Sequence, residues 1–156
     1  MKNWIKAVIA VLIPLLTGGI SGYFTATSVG TWYTQINKPI WNPPNQIFAP
    51  VWTTLYIMMG VALFLIWKSN ADAADKKKAI TWWGMQMLLN FLWSFIFFNQ
   101  HLIGLALADI IAMWLFILFT IFTFAKINKT AAWLLVPYIA WVSFAGVLNY
   151  AIWRLN

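Results

Sequence analysis

The sequence predicts an all-α integral membrane protein: a bundle of five transmembrane helices with its N-terminus inside. Three observations carry this. Of 156 residues, 63% are hydrophobic and only 8% charged, against about 25% charged in an ordinary soluble domain. Mean hydropathy is +0.77. The apolar residues also gather into five runs of about 20, the length a helix needs to cross hydrocarbon while satisfying its own backbone. The length is that of a single domain, residues 1–156.

The first span is expected at 5–25. Lys2, Lys6 and the run AVIAVLIPLL resemble the start of a secretory signal. The apolar run continues through Thr17-Gly18-Gly19-Ile20 to Phe24, past a signal's core, so the helix is expected to stay. Residues 26–46 follow as a long loop rich in Pro, Asn and aromatics. Pro39, Pro43 and Pro44 there, with Pro50 just beyond, fix φ repeatedly, and a stiff segment carrying Trp32, Tyr33 and Trp41 reads as a lid over something flat and apolar. The second span is expected at 47–67, and KSNADAADKKK (68–78) is a solvated loop. The third, 79–98, carries Gln86, Asn90 and Ser94 at four-residue steps, hence on one face. Asn99-Gln100-His101 turns into the fourth span, 102–125, which holds Asp109. A short basic turn, Lys126 to Thr130, leads to the fifth, 131–153, where Pro137, Trp141, Ala145 and Asn149 repeat the four-residue step. Pro137 frees the carbonyl of Trp133 and is expected to bend that helix. No internal repeat is visible, which counts against an inverted-repeat transporter.

Lysines and arginines near the span ends set the orientation. Lys2, Lys6, Lys68, Lys76, Lys77, Lys78, Lys126 and Lys129 fall on one side, and Lys38 and Arg154 on the other. In a bacterial cell membrane this places the N-terminus and the lysine-rich loop inside. The net charge of +7 sits between apolar runs and suits anionic lipid headgroups; no exposed basic face is left for a nucleic acid.

The polar inventory excludes several chemistries. There is no Cys, hence no disulfide or thiolate site. There is no Glu, and the only acids are Asp72 and Asp75 in the charged loop and Asp109 in a span. With His101 the only histidine, neither a carboxylate pair nor a metal site can be assembled, and no cofactor is required. An intramembrane carboxylate is a functional candidate by default. Asp109 is nonetheless read first as structural, bonded to a neighbouring helix or to His101. Trp4, Trp67, Trp82, Trp133 and Trp153 lie near span ends and suit interfacial belts. Trp52, Trp93 and Trp141 lie deeper, beside amides, as apolar walls with a few placed polar groups would.

The run Pro39-x-Trp41-x-Pro43-Pro44-x3-Phe48-x-Pro50-Val51-Trp52-Thr53-x-Leu55-Tyr56-x2-Met59-Gly60-x-Ala62 resembles the signature of the tryptophan-rich sensory protein family, whose mammalian relatives are called translocator protein or peripheral benzodiazepine receptor. The match continues with Leu89-Asn90-x-Leu92-Trp93-Ser94-x2-Phe97-Phe98, Ala106-x-Ala108-Asp109, and Pro137-Tyr138-x2-Trp141-Val142-x-Phe144-Ala145-x2-Leu148-Asn149, covering nearly the whole chain. The resemblance implies a five-helix bundle, commonly a homodimer, with one pocket opening toward the loop after the first helix. It implies binding of protoporphyrin and other haem-pathway intermediates, of synthetic benzodiazepine- and isoquinoline-type ligands, and in some members of sterols. Carried over, the ligand-binding residues would be Trp32, Tyr33, Trp41, Pro43, Trp52, Tyr56, Asn90, Trp93, Trp141, Ala145 and Leu148.

Three functions follow as expectations. The first is a membrane receptor or sensor for tetrapyrroles. The second is a light-dependent porphyrin-degrading enzyme, in which Trp52 and Trp141 would be catalytic as the oxidisable neighbours of the ring. The third, a tetrapyrrole or sterol transporter, has least support without a repeat or a polar path. Leu148, Tyr150 and Arg154 fit a proposed cholesterol pattern that is frequent by chance. Gly18 with Gly22, and Gly104 with Ala108 and Ala112, form small-residue faces that would let helices approach closely.

Overall fold

The computed structural model describes residues 1–156, which are helical and joined by turns and loops, with no strand. The first helix, α1 (Asn3–Val29), outruns its expected end because nothing before Gly30, its C-cap, breaks it. It absorbs the start of the expected lid. What remains of the lid contains a four-residue helix, α2 (Trp32–Gln35), and a 3₁₀ turn, Asn45–Ile47, leading into α3 (Phe48–Trp67). Pro50 falls in the first turn of α3, where a missing N–H leaves no helical bond unmade.

The next helix, α4 (Ala73–Ser94), starts inside the stretch expected as a solvated loop, because nothing from Ala73 to Lys78 breaks a helix, and ends in a π turn over Phe95–Asn99. His101 then takes a left-handed φ of 59°, reversing the chain into α5 (Ile103–Ala125). The stretch expected as one span at 131–153 is two helices, α6 (Lys129–Leu134) and α7 (Val136–Leu155), broken at Leu135. Pro137 is the reason, since it cannot donate to the carbonyl four residues back. Asn128 caps α6 by accepting from the Ala131 N–H at 3.0 Å.

Four segments are long and apolar enough to cross a membrane: Asn3–Val29, Asn45–Trp67, Ile103–Ala125 and Lys129–Leu155. The outer faces of these helices are apolar too, with Leu16, Ile111, Phe122 and Val147 exposed as a lipid-solvated surface requires.

α1 packs chiefly on α3, while α5 lies between α4 and α7. The α1–α3 approach is closest at Gly60, where an added Cβ would lie 2.5 Å from Val11 Cα and 2.8 Å from the Ala10 carbonyl oxygen. That carbonyl is the one Pro14 leaves without its helical N–H, so the glycine lets a second backbone come up against it. Along α5 the buried residues Ala106, Ile110, Met113, Ile117 and Phe124 recur at helical spacing and form its core stripe. A second, smaller cluster of Tyr33, Phe97, Ala106, Leu148 and Ile152 seats the lid on the ends of the helices.

The small-residue faces do different things from one another. Gly104 meets the Trp153 indole of α7 within the same chain, and Gly18 meets the Tyr56 ring. A Cβ at Gly22 would meet nothing within 4 Å, so Gly22 is no helix–helix contact.

Candidate ligand-binding site

A cavity of about 660 Å³ lies between α1, α3, α4 and α7, below α2 and the turn at Asn45. That volume is within the roughly 300–1,000 Å³ of small-molecule sites. No residue on its wall is charged at neutral pH. Trp52 and Tyr56 of α3, Asn90 and Trp93 of α4, and Trp141, Ala145 and Leu148 of α7 all line it, with Tyr33 of α2.

Three residues expected at the site do not line this cavity. Trp32 turns away to stack on His101 (centroids 4.1 Å apart, planes 10° apart) and meets Phe97 edge-on at 5.6 Å. Trp41 is 45% exposed and packs edge-on against Phe144 at 6.0 Å. Pro43 shapes the lid, its carbonyl accepting from Asn42 Nδ2. The lid therefore contributes rigidity more than wall surface. Asn45, passed over in the sequence, does reach the wall.

The larger omission is α1. Gly18, Gly19, Ser21, Gly22, Thr25 and Ala26 make one side of the cavity. Glycines this dense weaken a helix by about 1 kcal/mol each. Their concentration in one apolar span is the signal that could have pointed to a wall needing room. The π turn acts similarly on α4: its extra residue per turn brings both Phe97 and Phe98 to the wall. It also leaves the Phe98 carbonyl to accept from Ser28 Oγ of α1.

Two polar networks anchor residues of the cavity wall. Tyr56 Oη donates to Asn90 Oδ1 at 2.7 Å, Asn90 Nδ2 to Tyr138 Oη at 2.9 Å, and Tyr138 Oη to Gln86 Oε1 at 2.7 Å. Trp93 Nε1 donates to Asn149 Oδ1 at 2.9 Å, and Asn149 Nδ2 to the Ile103 carbonyl at 3.0 Å. These two networks fix the walls: the first holds Tyr56, on which Trp52 stacks at 5.5 Å, and the second holds Trp93. Asn90→Ala strips Tyr56 of its acceptor in a buried site, a loss of about 2 kcal/mol. The expected result is a lower thermal midpoint with weaker ligand binding; an unchanged midpoint would show that the network carries no load.

The expected bond between Asp109 and His101 is not formed. His101 is occupied with Trp32, and Asp109 Oδ2 is buried without a partner. The sterol-like pattern is also split, with Leu148 buried against the cavity and Tyr150 turned outward.

The lid is tied down at several points. Tyr33 Oη donates to Asn42 Oδ1 at 3.1 Å, and Lys38 Nζ lies 4.6 Å from the Tyr33 ring centroid while donating to the Tyr33 and Ile36 carbonyls. Burial pushes the Tyr33 phenol above its ordinary 10.0, against the opposing pull of Asn42, so it stays a donor at neutral pH. At the other edge Asn156 clamps Asn37, accepting from its N–H at 3.1 Å and donating to its carbonyl at 2.9 Å. Asn156→Ala removes both bonds, and ligand dissociation measured by stopped flow is expected to quicken about tenfold. An unchanged off-rate would mean the lid edge does not gate the cavity.

Residues 10–154 match the family model described as TspO/MBR family. The chain belongs to the TspO/MBR family. Tryptophan-rich protein TspO of Archaeoglobus fulgidus is 40% identical, with 99% of each chain covered, and that of Chlorobaculum tepidum 38%, with 99% of this chain and 98% of the relative covered. Translocator protein of Bos taurus is 36% identical over 98% of this chain and 91% of its own. With its apolar outer surface, this is an integral membrane protein of a family whose members bear the names translocator and sensory protein.

Proposed function

We propose that the chain is a membrane receptor or sensor that binds a porphyrin, protoporphyrin above all, in the cavity between α1, α3, α4 and α7. One observation carries this reading: an uncharged cavity of about 660 Å³ walled by Trp52, Trp93 and Trp141. Such walls reward a large flat apolar ligand through stacking and area burial. Benzodiazepine- and isoquinoline-type ligands share that shape. Sterols suit it less, since flat indole faces gain little from a puckered ring system.

In the same reading α4, with its π turn, is a fifth span. Its three lysines lie at the inner surface and Gln86 and Asn90 face protein, as intramembrane amides must. The N-terminus faces the interior of a bacterial cell, and the protein works as a homodimer.

A second reading, light-dependent porphyrin breakdown, draws support from Trp52 and Trp141 both lining the cavity. The ring would serve as sensitiser, dioxygen as oxidant and the indoles as oxidisable neighbours. Titration of the purified protein with protoporphyrin, first in the dark and then under light, tests both. A saturable dark shift in the visible spectrum, stable under light, supports the receptor. Protein-dependent loss of the porphyrin band that disappears in Trp141→Phe supports the enzyme. No saturable shift defeats both.

A further inference from the structure

Exposure is unevenly spread around the cavity wall. None of the wall residues supplied by α4, its π turn, α5 and α7 is exposed. Every exposed one comes from α1 with its Gly30 cap, or from residues 45–53, the 3₁₀ turn and first turns of α3.

Helical spacing shows what parts there. Ala49, Thr53, Tyr56 and Gly60 lie on one stripe of α3, and Val11, Gly18, Gly22 and Ala26 on one stripe of α1. At one end the stripes touch: Gly60 meets the Val11 backbone and Gly18 meets the Tyr56 ring, each so closely that an added Cβ would clash. Toward the lid the contact is lost. A Cβ at Gly22 would meet nothing within 4 Å, and Gly22, Ala26, Ala49 and Thr53 are all exposed. The two helices therefore form a V, closed at Gly60 and open at the lid end.

The open side of the V faces lipid. Gly19 and Ala26, both on the wall, flank Tyr23 on one stripe of α1, and Tyr23 is 69% exposed. Across the gap Thr53 lies one turn from Ile57, which is 43% exposed. On each helix the cavity wall runs into large exposed apolar side chains, within segments long and apolar enough to cross a membrane. The rim offers no polar obstacle, since Thr53 Oγ1 donates to the Ala49 carbonyl at 2.7 Å and its neighbours on the rim are Gly and Ala. An apolar molecule sliding past breaks no hydrogen bond there. The lid end, by contrast, is fastened by Tyr33 to Asn42 and by Asn156 to Asn37.

We propose that the gap between α1 and α3, bounded by Gly22 and Ala26 on one side and Ala49 and Thr53 on the other, is the mouth of the cavity, through which flat apolar molecules dissolved in the bilayer enter and leave edge-on. The inference rests on the cavity being a ligand pocket and assigns the route into it. The site fills from lipid rather than from water, and the lid is its closed end. Loosening the lid by Asn156→Ala opens a second way out.

The chain has no cysteine, so a pair can be introduced without background. Ala26→Cys with Ala49→Cys is reconstituted in lipid vesicles and bridged reversibly by bis-methanethiosulfonate linkers of graded length. Protoporphyrin binding and release are followed by the visible spectrum in stopped flow. Bridging is expected to slow association and dissociation together, about tenfold each, and reductant should restore both. Ala26→Phe, which narrows the gap without a reagent and decides the matter where no linker bridges, should slow both about threefold. A bridge across the lid edge, Asn37→Cys with Asn156→Cys, should leave both rates within about twofold of wild type. Rates untouched by the gap bridge overturn the assignment, as does a gap bridge that only quickens dissociation. Equal or greater slowing by the lid bridge overturns it too. Wild-type protein that gives no saturable protoporphyrin shift removes the pocket reading itself.

Discussion

Gly18→Val is expected to reduce protoporphyrin affinity about 100-fold, equivalent to about 2.8 kcal/mol. A Cβ at this position would lie 2.4 and 2.5 Å from two carbons of the Tyr56 ring. The ring cannot step aside cheaply. It is 6% exposed, its hydroxyl donates to Asn90, and Trp52 stacks on its face. Relief of the clash moves Tyr56 and Trp52 together, which removes one aromatic wall of the cavity. Gly84→Ala in α4 is the control: a Cβ there meets nothing within 4 Å and the residue lies off the cavity wall, so affinity should change less than threefold while helix propensity improves. The dark spectral titration reads both variants. Wild-type affinity in Gly18→Val would show that the Tyr56–Trp52 wall does not touch the ligand.

Gly60→Val should cost the bundle about 3 kcal/mol, or a fall of about 10 °C in thermal midpoint in detergent. Here the obstacle is backbone. The new Cβ would lie 2.5 Å from Val11 Cα and 2.8 Å from the Ala10 oxygen, so α1 and α3 must separate along their length. No rotamer change absorbs that. Ligand binding would fall with stability, because α1 carries one cavity wall. A midpoint within 2–3 °C of wild type would mean the helices are not in contact at this point, about 1 kcal/mol or less being at stake.

The two glycines show how far the chain could be read in one dimension. Both lie in apolar stretches whose length and hydropathy announce spanning helices, and Gly60 lies inside the proline–tryptophan run that marks the family. Trp52, Trp93 and Trp141 were legible by their depth in the spans beside amides, and the family resemblance joined them with Tyr56 and Asn90 into one expected site. The wall from α1 was not. Spacing says nothing about which neighbour a face meets, so Gly18 and Gly22 read as a single packing stripe although one meets Tyr56 and the other meets nothing.

Trp32 and Trp41 show the same limit in the lid. Their type and their rigid proline setting were plain, but an indole has two flat faces and several apolar surfaces to choose from. The choice fell to Phe97, His101 and Phe144, contributed by segments distant in sequence. The break at Leu135 was half legible, since Pro137 requires a disturbance and only packing decides between a bend and a new helix.

Membrane class, the apolar segments, the scarcity of carboxylates and histidine, and the family all follow from residue identity and local period, which the chain carries along its own length. The cavity and the networks through Asn90 and Asn149 depend on which helices come within about 3 Å of one another. That is decided by the packing of whole faces, where one missing Cβ on α1 or one extra residue in a π turn redirects a side chain.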